Sequence, residues 1–145
     1  MSEIELLTFV LPKVITATIC GLIIGIEREF HNKAAGIRTY IIVCVGTALY
    51  TMVPFILPTI YHVDPTRVIG QIITGIGFLG GGVIFKQDDK VNGVTSAAFI
   101  WLMSAIGVIV GLGYLVSGII LTLGLVIVLT ILLKFEKIIE EKIEK

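Results

Sequence analysis

Charge is scarce in this chain. Of its 145 residues only 15% are Asp, Glu, Lys or Arg, and the formal net charge is zero. A soluble domain of this size carries about 25% charge. Cysteine is almost absent: Cys20 and Cys44 are the two, both inside apolar runs and without CxxC spacing. That excludes a disulfide framework and a zinc knuckle, and leaves two small buried side chains. His31 and His62 are the two histidines; they fall in different loops, on opposite faces of the membrane in the topology below, and share no metal. No nucleophile–base arrangement, phosphate loop or basic nucleic-acid patch is present, so the chain does not read as an enzyme or a nucleic-acid binder. The start, MSEIELL, has two glutamates and no basic segment. It is not expected to be a cleaved signal peptide, and the first apolar run should remain as an anchor.

What is abundant is apolar sequence. The chain is 56% hydrophobic with a mean hydropathy of +1.03. Its charges cluster at residues 27–38, 62–67, 86–90 and 134–145, the layout of a polytopic membrane protein. The expected fold is all-α with five transmembrane helices: Leu6–Ile26, Arg38/Thr39–Leu57, Asp64/Pro65 to about Phe85, Thr95 to Gly111, and Tyr114 to Leu133. A single helix over residues 97–133 would be ~55 Å long at 1.5 Å per residue, nearly twice the ~30 Å hydrocarbon core, so Gly111-Leu112-Gly113 should break it. Residues 1–133 form the transmembrane domain. Residues 134–145 form a short charged amphipathic cytoplasmic tail, lying at the interface, on a partner or in solvent.

The third helix holds six glycines between residues 68 and 85. In lipid, small residues let backbones approach closely. Gly75, Gly77 and Gly81 therefore mark it as the central strut, packed on several sides. Gly21 and Gly25 make a similar face on the first helix, and Gly107 and Gly111 on the fourth. Asp64 caps the third helix and Pro65 opens it. The basic residues set the orientation. Arg28, Lys33, Arg38, Lys86, Lys90, Lys134, Lys137, Lys142 and Lys145 fall on one side and only Lys13 and Arg67 on the other. The N-terminus should lie outside and the C-terminus in the cytoplasm.

A shift of 57 residues aligns Gly25-IEREFHNKAA-Gly36-Ile37-Arg38-Thr39 with Gly82-VIFKQDDKVN-Gly93-Val94-Thr95-Ser96. Helices 1–2 and 3–4 then read as two parallel-repeat hairpins, with the fifth helix outside the repeat. Gly36 and Gly93 should adopt conformations that other residues avoid, and Thr39 and Thr95/Ser96 should cap the helices that follow. Two such helix ends together favour anions, and Glu27 could dock there.

Ionisable groups at apolar helix ends are candidate sites because burying them is costly. Asp64, Arg67 and Gln71 share one face of the third helix. They are either an outer polar mouth or a capped end with an interhelical hydrogen bond. Glu27, Arg28 and Arg38 form either an ion-pair cluster or a site for a ligand, cation or proton. Magnesium needs only one or two protein carboxylates, which makes Asp64 and Glu27 the candidate metal ligands, though no spacing is diagnostic. Asp88 and Asp89 read as solvated. Trp101 reads as core packing.

Five motifs occur in order: Gly25-Ile26-Glu27-Arg28-Glu29, Gly36-Ile37-Arg38-Thr39, Asp64-xx-Arg67-xxx-Gln71, Gly75-Ile76-Gly77-Phe78-Leu79-Gly80-Gly81-Gly82 and Gly93-Val94-Thr95-Ser96-Ala97-Ala98-xx-Trp101. Together they resemble the MgtC/SapB membrane-protein family over residues 6–130. Members often carry Ala at the position of Gly81 and Thr at that of Ser96. The virulence-associated branch has Cys where Leu102 stands. Many members add a cytoplasmic C-terminal domain, so this chain reads as a short form. The resemblance implies a prokaryotic plasma (inner) membrane protein tied to growth in low magnesium, some members supporting survival inside host cells. It implies either an ion- or partner-binding regulator or a magnesium (or other cation) transporter or channel. The implied partners are the lipid bilayer, a second copy in a homodimer, and another membrane protein such as an ATP synthase or transporter.

Overall fold

The computed structural model describes residues 2–57 and 63–143. The chain forms helices α1 (Glu3–Phe30), α2 (Ile37–Ile56) and α3 (Pro65–Gly82), strands β1 (Phe85–Gln87) and β2 (Lys90–Asn92), then helices α4 (Val94–Gly111) and α5 (Leu115–Ile143). The described residues are all-helical apart from the two-stranded hairpin. Among them four stretches are long and apolar enough to cross a membrane: α1, α2, α4 and Leu115–Glu136 of α5. The third helix is not among them, because Arg67, Gln71 and its glycines dilute its apolar content. The expected five spans are therefore five helices of which four carry the full signature. The outer surface is apolar: Leu11, Ile15, Ile19, Leu22 and Ile26 run down an exposed stripe of α1. Such a face suits lipid and not water.

The first helix is longer than expected at both ends. Ser2 and Glu5 make a reciprocal capping box, with Ser2 N donating to Glu5 Oε2 at 2.8 Å and Glu5 N to Ser2 Oγ at 3.3 Å. At the other end the helix continues to Phe30, so Glu27, Arg28 and Glu29 lie in its last turns and not in a loop. Its 28 residues reach ~42 Å at 1.5 Å per residue.

The strut of the bundle is α2 and not α3. A Cβ on Gly21 would lie 2.6 Å from the Ile41 α-carbon, and one on Gly25 2.6 Å from that of Ile37. From the other side, a Cβ on Gly107 would lie 2.6 Å from the Cys44 carbonyl oxygen, and one on Gly111 2.7 Å from that of Ala48. Glycines of α1 and α4 thus hold α2 between them at backbone contact. By contrast, a Cβ on Gly75, Gly77 or Gly81 would meet nothing within 4 Å. The third helix lies at the edge, burying only Ile72, Ile76 and Gly80 along one stripe. Glycine content alone cannot say whether a close-approach face meets a neighbour within the chain.

The two segments aligned by the 57-residue shift fold differently. After α1 the chain makes a tight turn with Asn32 at φ +51° and enters α2 directly. After α3 it makes the hairpin, pairing Phe85 with Asn92 and Gln87 with Lys90 around Asp88, at φ +53°. The expected hydroxyl caps are absent at both helices. The N-cap of α2 is Gly36 and that of α4 is Gly93, neither with a side-chain cap. Gly36 is extended, at φ −117°. A Cβ there would meet only the end of the flexible Glu29 side chain, whose carboxylate accepts from Ile37 N at 3.1 Å. Gly93 does take a left-handed conformation, φ +87°, at no cost to a residue without Cβ.

The break between α4 and α5 falls where expected. Gly113 has φ +102°. Its N–H donates to Val110 O at 2.9 Å and that of Tyr114 to Ile109 O at 3.2 Å. This is the Schellman pattern that ends a helix. The backbone of α5 then stays helical to Ile143. The expected connection over Thr59–Asp64, with His62, falls largely outside the described residues.

Candidate functional site

The loop end of the bundle collects most of the polar candidates. The last turns of α1 carry Glu27 and Arg28 inward. Arg28 is 1% exposed, one of the largest fully buried side chains. Its Nη1 lies 3.8 Å from Glu27 Oε2, too far for a hydrogen bond. The guanidinium carbon sits 4.8 Å from the centroid of the Phe99 ring on α4, a cation–π distance. His31 Nδ1 lies 2.8 Å from the Glu27 carbonyl oxygen and 3.1 Å from its Oε1. The carbonyl takes that hydrogen bond, so the carboxylate is left with a near contact only. Both Glu27 carboxylate oxygens and Arg28 Nε and Nη2 are buried without a hydrogen-bond partner. Fully buried polar atoms in folded proteins are nearly always paired, and those that are not often mark function.

The second helix reaches the same place through Tyr40, fully buried, whose hydroxyl donates to the Ser96 carbonyl at 3.4 Å. Ser96 is itself buried, in the first turn of α4. Beside it opens a cavity of about 480 Å³, lined among others by Arg28, Lys33, Gln87, Asn92, Thr95 and Ser96. Of the predicted residues, Glu27, Arg28, Thr95 and Ser96 therefore gather at this end. Arg38 is exposed, and Thr39 half-buried, one turn into α2. Trp101 is not core: it is 51% exposed on the outside of α4, where an indole suits the lipid. Tyr40 and Phe99 were not singled out from the sequence, and His31 and Lys33 were not read there as site residues. A hydroxyl-bearing aromatic one turn into α2 was the one signal for Tyr40.

Asp64, Arg67 and Gln71 lie at the far end of the bundle, on α3. Asp64 Oδ1 accepts from Thr66 N at 2.8 Å and from Thr66 Oγ1 at 2.7 Å. These bonds, the hydroxyl's first, hold its carboxyl below the ordinary carboxylate range. The arrangement is a capped helix start, and no Asp64–Arg67 ion pair forms. Arg67 and Gln71 are exposed. Gln71 lines an apolar groove of about 550 Å³ between α2 and α3 that also includes Gly46, Thr47 and Tyr50.

The surroundings of the two candidate metal ligands differ. Glu27 stands beside a guanidinium, and Asp64 gives one oxygen to two donors of its own turn. Among the described residues no three His, Cys, Asp or Glu side chains converge.

The sequence matches the MgtC family over residues 14–138. The chain belongs to the MgtC family. It is 39% identical over 124 residues to Protein MgtC of Brucella abortus, a match covering 86% of this chain and 51% of that one. It is 37% identical over 117 residues to the Escherichia coli K12 protein named "Putative magnesium transporter YhiD", covering 77% and 54%. To Protein SapB of Bacillus subtilis it is 38% identical over 112 residues, covering 72% and 48%. The chain thus spans about half the length of the curated relatives it matches. No solved structure matches it. With its long apolar helices, this membership makes it a membrane protein.

Proposed function

We propose that the chain is a non-enzymatic regulatory module of a prokaryotic plasma membrane, serving adaptation to low magnesium by binding a ligand or partner at its Glu27–Arg28 end. One observation favours this over a cation pathway: the interior shared by α1, α2 and α4 behind the Glu27 end is filled with apolar side chains. Ala17, Cys20, Ile24, Cys44, Ala48, Met103, Ile106 and Val110 fill it, each at most 2% exposed. The buried hydroxyls among them turn back on their own helices: Thr47 donates to Val43 O at 2.7 Å, Thr51 to Thr47 O at 2.8 Å and Thr122 to Gly118 O at 2.7 Å. Among the described residues this interior offers a divalent cation no carboxylate, only a few hydroxyls already tied to their own helices, where magnesium calls for several oxygen ligands and retained waters.

In this reading α3 also crosses the membrane, placing the N-terminus outside and the α1–α2 and β1–β2 loops and the C-terminus in the cytoplasm. The open stripe of Gly70, Thr74, Gly77 and Gly81 on α3 would then serve a second copy in a homodimer, or another membrane protein such as an ATP synthase or transporter. Transport keeps one support, the name of the E. coli relative.

Proteoliposomes loaded with a magnesium-sensitive dye separate the readings. The regulatory module gives no flux above empty vesicles, and supports growth at low magnesium only when Glu27 and Arg28 are intact. Flux from the wild-type protein that both Glu27→Ala and Asp64→Ala abolish would establish the transporter.

A further inference from the structure

We propose that the cavity between Arg28 and the start of α4 binds a phosphate-bearing anion, either free in solution or as a lipid headgroup. The helix supplies half of the site. Eighteen residues long, α4 begins at Gly93 with no side-chain cap, so the N–H groups of its first turn point outward unclaimed and carry the positive end of the helix dipole. A helix start of this kind holds anions. The other half is Arg28, which lines the same cavity. It is 1% exposed, and its Nε and Nη2 reach no acceptor. Glu27 neutralises part of its charge but engages only Nη1, at 3.8 Å. The remaining N–H groups have the fork geometry that suits phosphate oxygens.

Of the other lining side chains Lys33 adds a second positive charge, and the polar ones are neutral. Lys33, Gln87, Asn92 and Thr95 all face the cavity, and no carboxylate lines it. At about 480 Å³ the cavity has room for a phosphate group with part of what it is attached to. It also sits at the end of a membrane-length helix, level with lipid phosphates. This deepens the regulatory reading by naming a ligand class, and rests on it in taking the Arg28 end as the working end.

The test uses the full chain in maltoside detergent, which contains no phosphate. Inorganic phosphate is titrated in one arm and short-chain phosphatidylglycerol in another, with the matching diacylglycerol as control; thermal unfolding is the readout. A rise in melting temperature with either phosphate compound but not with diacylglycerol supports the site. A response to the lipid alone assigns a headgroup, and a response to inorganic phosphate assigns the anion itself. No response to either overturns the proposal.

Because Arg28→Gln can misfold, Thr95→Glu is the second variant. Thr95 is exposed in the first turn of α4, where an acidic residue stabilises a helix. Thr95→Glu should melt at or above the wild-type temperature and bind about ten-fold or more weakly. Wild-type binding by Thr95→Glu overturns the site. A wild-type protein that supports growth at low magnesium but binds neither anion refutes the site and leaves the regulatory function standing. Binding without growth support does the reverse.

Discussion

Arg28 on α1 lies over the ring of Phe99 on α4, 4.8 Å from its centroid, and this contact ties the end of the first helix to the start of the fourth. The ring covers one face of a guanidinium that is almost wholly buried. Phe99→Leu keeps apolar volume and removes the π face. Since buried cation–π contacts are worth ~2 kcal/mol or more, Phe99→Leu should lower the melting temperature measurably, while Phe99→Tyr should not.

Glu27 and Arg28 should couple strongly. Removing one member of a buried pair costs ~3–5 kcal/mol because the other charge stays buried alone, whereas replacing both can be nearly neutral. Glu27→Gln and Arg28→Met should each destabilise the protein, and the double variant should lose less than the two single effects added together. A double-mutant cycle on thermal stability reads this directly. Additive losses would mean that the two side chains do not act as a pair.

The glycines divide into two kinds. A Cβ on Gly107 would lie 2.6 Å from the Cys44 carbonyl oxygen and 2.8 Å from Thr47 Cβ, both on α2. Backbone at that distance cannot give way cheaply, so Gly107→Ala should cost ~1–3 kcal/mol, the range for overpacking. Gly77 has open space beside it, and Gly77→Ala should leave the monomer's melting temperature unchanged or raised. Gly77→Leu separates the chain's own packing from its association. Loss of a crosslinked dimer with unchanged monomer stability would place the partner against α3.

The same division shows what could be read without coordinates. Gly21 and Gly25 were legible as packing residues because their four-residue spacing puts both on one face of an apolar helix. Gly111–Gly113 was legible as a break because one helix across it would overrun the bilayer. The location of the strut was not legible. Glycine spacing on α3 and on α4 looks alike, and only the tertiary arrangement decides which face meets backbone and which stays open. At the loop end, Glu27, Arg28, Thr95 and Ser96 stood out by type and position. Tyr40 and Phe99 did not, because what gives them a role is a contact across the fold: Tyr40 reaches a carbonyl 56 residues away. The hydroxyl caps were misread because Gly93 and Gly36 already occupy the cap positions themselves.

Asp64 supplies a pH test. Its two bonds from Thr66 favour the carboxylate and lower its pKa from the ordinary 3.8. A depressed native pKa adds stability that is present above the unfolded value and fades as pH falls through the lower native value. The start of α3 should therefore be fully protected at neutral pH and fray only below about pH 4, the ordinary carboxylate range. Amide exchange over residues 66–70, corrected for intrinsic rate, should rise as pH drops from 5 to 3. Asn keeps the cap but does not titrate, so Asp64→Asn should flatten that dependence. Equal acid sensitivity in Asp64→Asn would assign the titration to another group.

Whether α3 crosses the bilayer decides which compartment the Arg28 end faces. Four helices carry the full membrane signature and α3 does not. Four spans would leave the two termini on the same side; five would separate them. At 18 residues, α3 is ~27 Å long by the 1.5 Å rise, within reach of a ~30 Å core. The basic residues favour crossing. With α3 across, nine of the eleven Lys and Arg residues fall on one side, the cytoplasmic one by the positive-inside rule. If α3 stays on one face, the residues after it exchange sides, and that bias is broken between the β1–β2 hairpin and the α1–α2 loop. A cysteine at Lys90, on the exposed second strand, and one at Lys33 should then report the same compartment only if α3 spans. In intact cells carrying Cys20→Ala and Cys44→Ala, an impermeant maleimide should label neither position until the membrane is opened. Labelling of Lys90→Cys but not Lys33→Cys from outside would take α3 out of the bilayer and split the cavity's two halves between compartments, which the observed Arg28–Phe99 and Tyr40–Ser96 contacts do not allow.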